Sequence, residues 1–185
     1  MKRFDNEKLF INYVTQYGLN LYLGAGFSVY AYNENSETLP LGNAINKRII
    51  DTFDLNRNRK YTLSKTCQKV KKENKDALER MLKETYKVKS FDKSYLALNR
   101  LPIKNIVTLN IDNLIERIYE DETSTKNVTD TTITGPLEKS NVVTLYKLHG
   151  SVTYPLGYDM SFTDKELTDL FVRNTGLFNT VSVKL

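Results

Sequence analysis

Apolar positions along this chain recur at two periods, and the switches between them divide it into helices and strands. Phe10, Val14 and Tyr17 fall at helical spacing, and Gly18 predicts the end of that helix. Leu19 to Leu23 is a short apolar run ending at Gly24, the pattern of a buried strand feeding a tight turn. Residues Val29 to Thr38 are polar and turn-like. After Pro40, a helical face is predicted from Leu41, Ala44, Ile45, Ile49 and Phe53. A basic stretch follows. From Asp76, Ala77, Leu78, Met81, Leu82 and Thr85 predict a second amphipathic helix. Tyr95 to Leu101 reads as a short helix closed by Pro102.

Asn105 to Leu109 and Val142 to Leu148 read as two further buried strands. Between them, Asn113 to Glu120 predicts a helix with Leu114, Ile115, Ile118 and Tyr119 turned inward. The Thr-rich stretch Glu122 to Thr134 suggests a loop with edge-strand character. Thr163-Asp164-Lys165-Glu166 is a capping box, opening a helix with Leu167, Leu170 and Phe171 on one face. Thr180 to Leu185 alternates like a strand just begun, so the sequence reads as truncated at its C-terminus. Strands separated by helices, each followed by a polar loop, predict an α/β fold. It would be one domain over residues 1–185, a doubly wound parallel sheet with helices on both faces.

In such sheets ligands bind at the carboxyl ends of strands, and three chemically capable segments fall there. Gly24-Ala25-Gly26-Phe27-Ser28 has the glycines that bring backbone against a phosphate, with a serine hydroxyl to donate. The same glycines would also serve any tight turn, and the third glycine of the ordinary dinucleotide fingerprint is missing. In Thr108-Leu109-Asn110-Ile111-Asp112, Asn110 offers a donor and an acceptor. Asp112 would accept from a sugar hydroxyl or cap the following helix. In Lys147-Leu148-His149-Gly150-Ser151, the chain's single histidine is a candidate general base or a structural residue.

Composition narrows the setting. The chain has 185 residues, 40% apolar and 26% charged, which suits a soluble globular domain. No apolar run approaches the roughly 20 residues that span a bilayer, and Met1 to Glu7 turns polar too early for a secretory leader. Cys67 is the lone cysteine, which leaves no internal disulfide and no multi-cysteine zinc site and points to the cytoplasm. The net charge of +5 is concentrated between Arg57 and Lys75. That run reads as a solvated, partly helical face or as a polyanion patch. Without interleaved aromatics, nucleic acid is not the expected partner.

At these residues the sequence resembles the sirtuin superfamily, in particular its zinc-free SIR2-like domains of bacterial antiphage defence proteins. The resemblance rests on Gly24-Ala25-Gly26-Phe27-Ser28, Leu39-Pro40-Leu41-Gly42, Thr108 to Asp112 and Lys147 to Ser151, in that order. It implies a Rossmann-like domain that binds NAD and breaks its nicotinamide–ribose bond, with a helical insertion at about residues 54–101. Carried over by position, Gly24, Ala25, Gly26, Phe27 and Ser28 would line the NAD phosphates. Asn110 and Asp112 would hold the nicotinamide ribose, with Asn110 and His149 catalytic and His149 the base on a ribose hydroxyl. The four-cysteine zinc ribbon of the deacylases is missing, so no metal is expected. The family's later glycine-serine motif and adenosine-binding strands would lie beyond residue 185. The implied activity is NAD glycohydrolysis. Protein deacylation or ADP-ribosyl transfer, and a silent module sensing NAD or ADP-ribose, remain as alternatives. The expected partners are NAD, a further domain or partner protein and a second copy of the chain, with no membrane.

Overall fold

The structure is a computed structural model describing residues 7–56, 60–130, 141–155 and 160–173. Helix α1 (Glu7–Tyr17) ends as its sequence predicts. Gly18 has φ +76°, its N–H donates to the Val14 oxygen at 2.8 Å, and a Cβ there would lie 2.7 Å from Lys104 Cγ. That left-handed turn favours glycine. No residue of α1 is buried.

Strand β1 (Leu19–Leu23) runs into a 3-10 turn over Ala25–Ser28, and β2 (Ala31–Asn33) and helix α2 (Gly42–Thr52) follow. Ile45 and Ile49 of α2 are buried, whereas Leu41 and Ala44 face solvent because Leu41 precedes the first turn. Helix α3 (Leu63–Tyr86) is longer than its sequence pattern predicts. It starts at Thr62, whose hydroxyl accepts from Lys65 N, and bends at Asn74 (φ −141°, ψ 46°). The basic segment is helical because Thr66, Cys67 and Val70 give it a buried side.

Next come β3 (Val88–Phe91), a 3-10 helix (Lys93–Arg100), β4 (Ile103–Thr108), α4 (Leu114–Tyr119), β5 (Asn127–Asp130), β6 (Val142–Lys147) and α5 (Asp164–Arg173). β2 and β3 form a small antiparallel pair, β2 lying where the sequence predicts only turn. β5 is the edge strand anticipated in the Thr-rich stretch, and residues 131–134 and 180–185 lie outside the described residues.

The main sheet has the order β1-β4-β6-β5 and is parallel throughout. With its helices this is a Rossmann-like α/β fold. Ile106, Val143 and Leu145 pack in one cluster with Leu114, Ile115 and Ile118 of α4. Val107 and Tyr146, alternating with them, form a separate cluster with Leu148. A third cluster joins Ile45 and Ile49 of α2 and Cys67, Val70, Leu78 and Leu82 of α3 to Ile111, Val152 and Met160. Each such buried aliphatic side chain contributes about 1.5–3 kcal/mol. The α2–α3 pair is thereby seated on the loops that leave β4 and β6, beside the carboxyl ends of the strands. No helix among the described residues is long and apolar enough to cross a membrane.

Candidate active site

The ends of β1 and β4 are tied together before any ligand is considered. Thr108 Oγ1 donates to the Leu23 oxygen at 2.9 Å and accepts from Asn110 N at 2.9 Å. The Asn110 amide nitrogen then reaches back, donating to the Gly24 oxygen at 3.1 Å and to Ser28 Oγ at 3.0 Å. Ser28 is 3% exposed and donates its hydroxyl proton to Asp112 Oδ2 at 2.8 Å. Asp112 Oδ1 accepts from Leu114 N at 3.1 Å, so this carboxylate both caps α4 and holds Ser28. With both amide protons of Asn110 used inward, its Oδ1 is the atom left for a ligand.

His149 follows β6. Leu148 N donates to the Thr108 oxygen at 2.9 Å, and Ser161 N donates to the His149 oxygen at 3.0 Å. The imidazole meets the Phe162 ring at 6.0 Å between centroids and 66° between planes. Burial holds the His149 pKa below its ordinary value, against a hydrogen bond with the Ser161 backbone that pulls upward. Asp112 moves the other way: burial raises its carboxyl, opposed by the charge of Lys147 and the bonds from Leu114 and Ser28.

Gly24, Ala25, Ser28, Asn110, Asp112 and His149 line one cavity of about 240 Å³. Its apolar walls include Leu39, Ile45, Leu63, Tyr86 and Phe162. Whole small-molecule sites run to roughly 300–1,000 Å³, so this cavity suits one half of a dinucleotide. Gly26 lies outside its lining. Phe27 turns toward the core instead, stacking edge-on against Tyr95 at 5.1 Å, and Tyr95 Oη donates to the Phe27 oxygen. A larger groove of about 760 Å³ lies between the 3-10 helix and residues Thr123 to Lys126 and shares none of these residues.

The glycines of the turn are informative. Neither Gly24 nor Gly26 has a positive φ, and a Cβ on either would meet nothing within 4 Å. The fold itself therefore does not require glycine at either position. The space above the turn is open, as close approach of a phosphate to backbone N–H groups demands.

Three supporting residues had no role in the sequence reading. Thr108 joins the strand ends, Phe162 abuts His149, and Tyr86 closes the wall while donating to the Pro40 oxygen at 2.8 Å. The capping box gives a signal for the second: Glu166 Oε2 accepts from Phe162 N and Thr163 N, each at 3.0 Å, which fixes the backbone before α5. Two lysines of α3 hold the same segment. Lys71 Nζ donates to the Met160 oxygen at 2.7 Å and to Glu166 at 2.5 Å, and Lys83 Nζ donates to the Tyr154 oxygen. Part of the basic run is thus internal scaffolding. Among the described residues, no three His, Cys, Asp or Glu side chains group as a metal site would.

Residues 104–183 match the family model of the SIR2-like domain. The match contains Asn110, Asp112 and His149 and leaves the glycine turn outside it. No curated protein matches the chain.

Proposed function

Residues 104–183 are similar to the SIR2-like domain, and on that premise we propose that this chain is a SIR2-like NAD glycohydrolase, releasing nicotinamide and ADP-ribose. SIR2-like domains use NAD. The observation that carries the reading is the shared cavity of Gly24, Asn110, Asp112 and His149 at the ends of β1, β4 and β6. It is a site where a phosphate, a ribose and a base can meet.

In this reading the pyrophosphate lies over the open turn at Gly24, Ala25 and Gly26, with Ser28 bracing the turn from beneath. The nicotinamide riboside end enters the cavity. Asn110 Oδ1 accepts from a ribose hydroxyl or from the attacking water, while Asp112 holds the chain behind it. His149, kept neutral by its burial, takes the proton as the hydroxyl or water is activated. The apolar walls from Ile45, Leu63 and Phe162 limit water and strengthen each of these contacts. In this reading the activity serves prokaryotic antiviral defence, in the cytoplasm and together with a further domain or partner protein, and the resemblance to antiphage proteins is what supports that role.

The test is to incubate the chain with NAD alone and with NAD plus an acylated peptide. Nicotinamide and free ADP-ribose without any acceptor support glycohydrolysis. Release only in the presence of the peptide replaces it with acyl or ADP-ribosyl transfer, and binding of NAD without release replaces it with a sensing role.

A further inference from the structure

Lys147 ends β6 and is 1% exposed. A lysine reaches such burial only when its ammonium is paired. Its Nζ donates to the Asp112 backbone oxygen, to Glu116 Oε1 at 2.8 Å and to Ser151 Oγ at 2.9 Å. Ser151 Oγ in turn lies 2.8 Å from Thr153 Oγ1. The acceptors come from the loop after β4, the first turn of α4 and the turn after His149. One buried cation therefore sits beneath both loops that carry the candidate chemistry, without lining the cavity itself.

Its position bears on the direction of the chain above it. Ser28 has one hydroxyl proton. While Asp112 is an anion, that proton goes to Asp112, and Ser28 must accept from Asn110, turning the amide NH₂ inward. A protonated Asp112 would instead donate to Ser28. The serine proton would then lose its acceptor, since the Gly24 oxygen holds the Asn110 NH₂ inward whatever the charge on Asp112. The charge on Asp112 therefore decides whether the Ser28 hydroxyl is held in place to accept from Asn110.

We propose that Lys147 is a positioning residue whose buried ammonium keeps Asp112 an acceptor and so holds the Ser28 hydroxyl in place as a brace for the Asn110 amide. The inference rests on reading this cavity as an NAD-cleaving site. Burial raises both Asp112 and Glu116, and Lys147 is the first influence opposing burial at each. The other titratable groups acting on the pair are Tyr86 of α3 and Tyr95 of the 3-10 helix toward Asp112, and Asp130 of β5 toward Glu116. Lys147 alone among these carries positive charge.

The experiment compares wild type, Lys147→Met, Glu116→Gln and the double variant, by thermal melting from about pH 5 to about pH 8 and by kcat/KM for NAD over the same range. A carboxyl whose folded pKa exceeds its unfolded value adds stability at low pH, and that stability is lost as pH rises through the folded value. Without Lys147 the upward shift grows, so the Tm deficit of Lys147→Met should widen as pH rises. Its acid limb in kcat/KM should move up by about one pH unit or more, with turnover recovering at the alkaline end. A Tm deficit and a fold-loss of turnover that are constant across pH would overturn the proposal and leave Lys147 as packing. If Lys147→Met does not fold, the double variant removes the stranded Glu116 charge. Measured against Glu116→Gln alone, it should show the same widening deficit, and parallel curves would overturn the proposal. If wild type fails to cleave NAD, the functional reading falls, and the pH dependence of Tm still decides the role of Lys147.

Discussion

Ser28 donates to Asp112 at 2.8 Å across 84 positions of sequence. That bond joins the glycine turn after β1 to the loop after β4, and Asn110 bonds to the same serine oxygen. The phosphate side and the ribose side of the proposed site therefore share one buried hydroxyl.

Ser28→Ala should separate the two. It leaves Asp112 Oδ2 without its donor, a loss of roughly 1–3 kcal/mol for a buried polar group, seen as a lower Tm. With only the Gly24 oxygen left to hold its amide, Asn110 should be less well positioned, at a cost of about tenfold to a hundredfold in kcat. Steady-state NAD cleavage beside thermal melting checks both, and an unchanged kcat would contradict the linkage.

Gly24→Ala makes the opposite separation. Gly24 has φ −114° and ψ −178°, open to any residue, and a Cβ there meets nothing within 4 Å. Stability should hold or rise by up to about 1 kcal/mol, while ADP-ribose binding, measured by calorimetry, should weaken clearly. Unaltered affinity would mean that no phosphate approaches this turn.

The pH profile follows from His149. Burial depresses its pKa, so the neutral base persists below the ordinary imidazole value of about 6.5. Wild-type kcat/KM should rise with pH through an acid limb centred below that value, and His149→Ala should abolish turnover. For stability the sign is the same: the unfolded chain takes up the proton more readily, so acidification from about pH 6.5 downward destabilises the fold.

Lys71→Met should destabilise the protein, because the Lys71 side chain is 11% exposed and its loss removes the donor to Glu166 Oε1 and to the Met160 oxygen. The expected loss is roughly 1–3 kcal/mol, read by chemical denaturation. A loss of polyanion binding with no change in stability would instead return the basic run to a surface role.

What the sequence displays is local. β4 and β6 are apolar runs because the central strands of a parallel sheet are covered on both faces, whereas β1, expected as a buried strand, stands at the end of the described order and leaves Asn20 and Tyr22 exposed. The Thr163–Glu166 box is a short-range pattern, and its bonds are present. Asn110, Asp112 and His149 were legible because polar residues directly followed buried strands. What the sequence conceals is tertiary. β2 is three residues long and is held by Asn33, whose side chain bonds Glu37 N and the Thr85 oxygen, so it has no period to read. The start of α3 was hidden because its lysines outnumber Thr66, Cys67 and Val70. Ser28 looked like a phosphate donor because its actual partner lies far along the chain, and Phe162 matters only through the histidine it touches.

The most direct measurement is nicotinamide release from NAD by the wild-type chain and by Asn110→Ala, resolved by chromatography on proteins of matched Tm. The account predicts nicotinamide and ADP-ribose from the wild type and a loss of at least about a hundredfold in the variant. Equal release by the two proteins would contradict it, since Asn110 would then take no part in cleaving the bond.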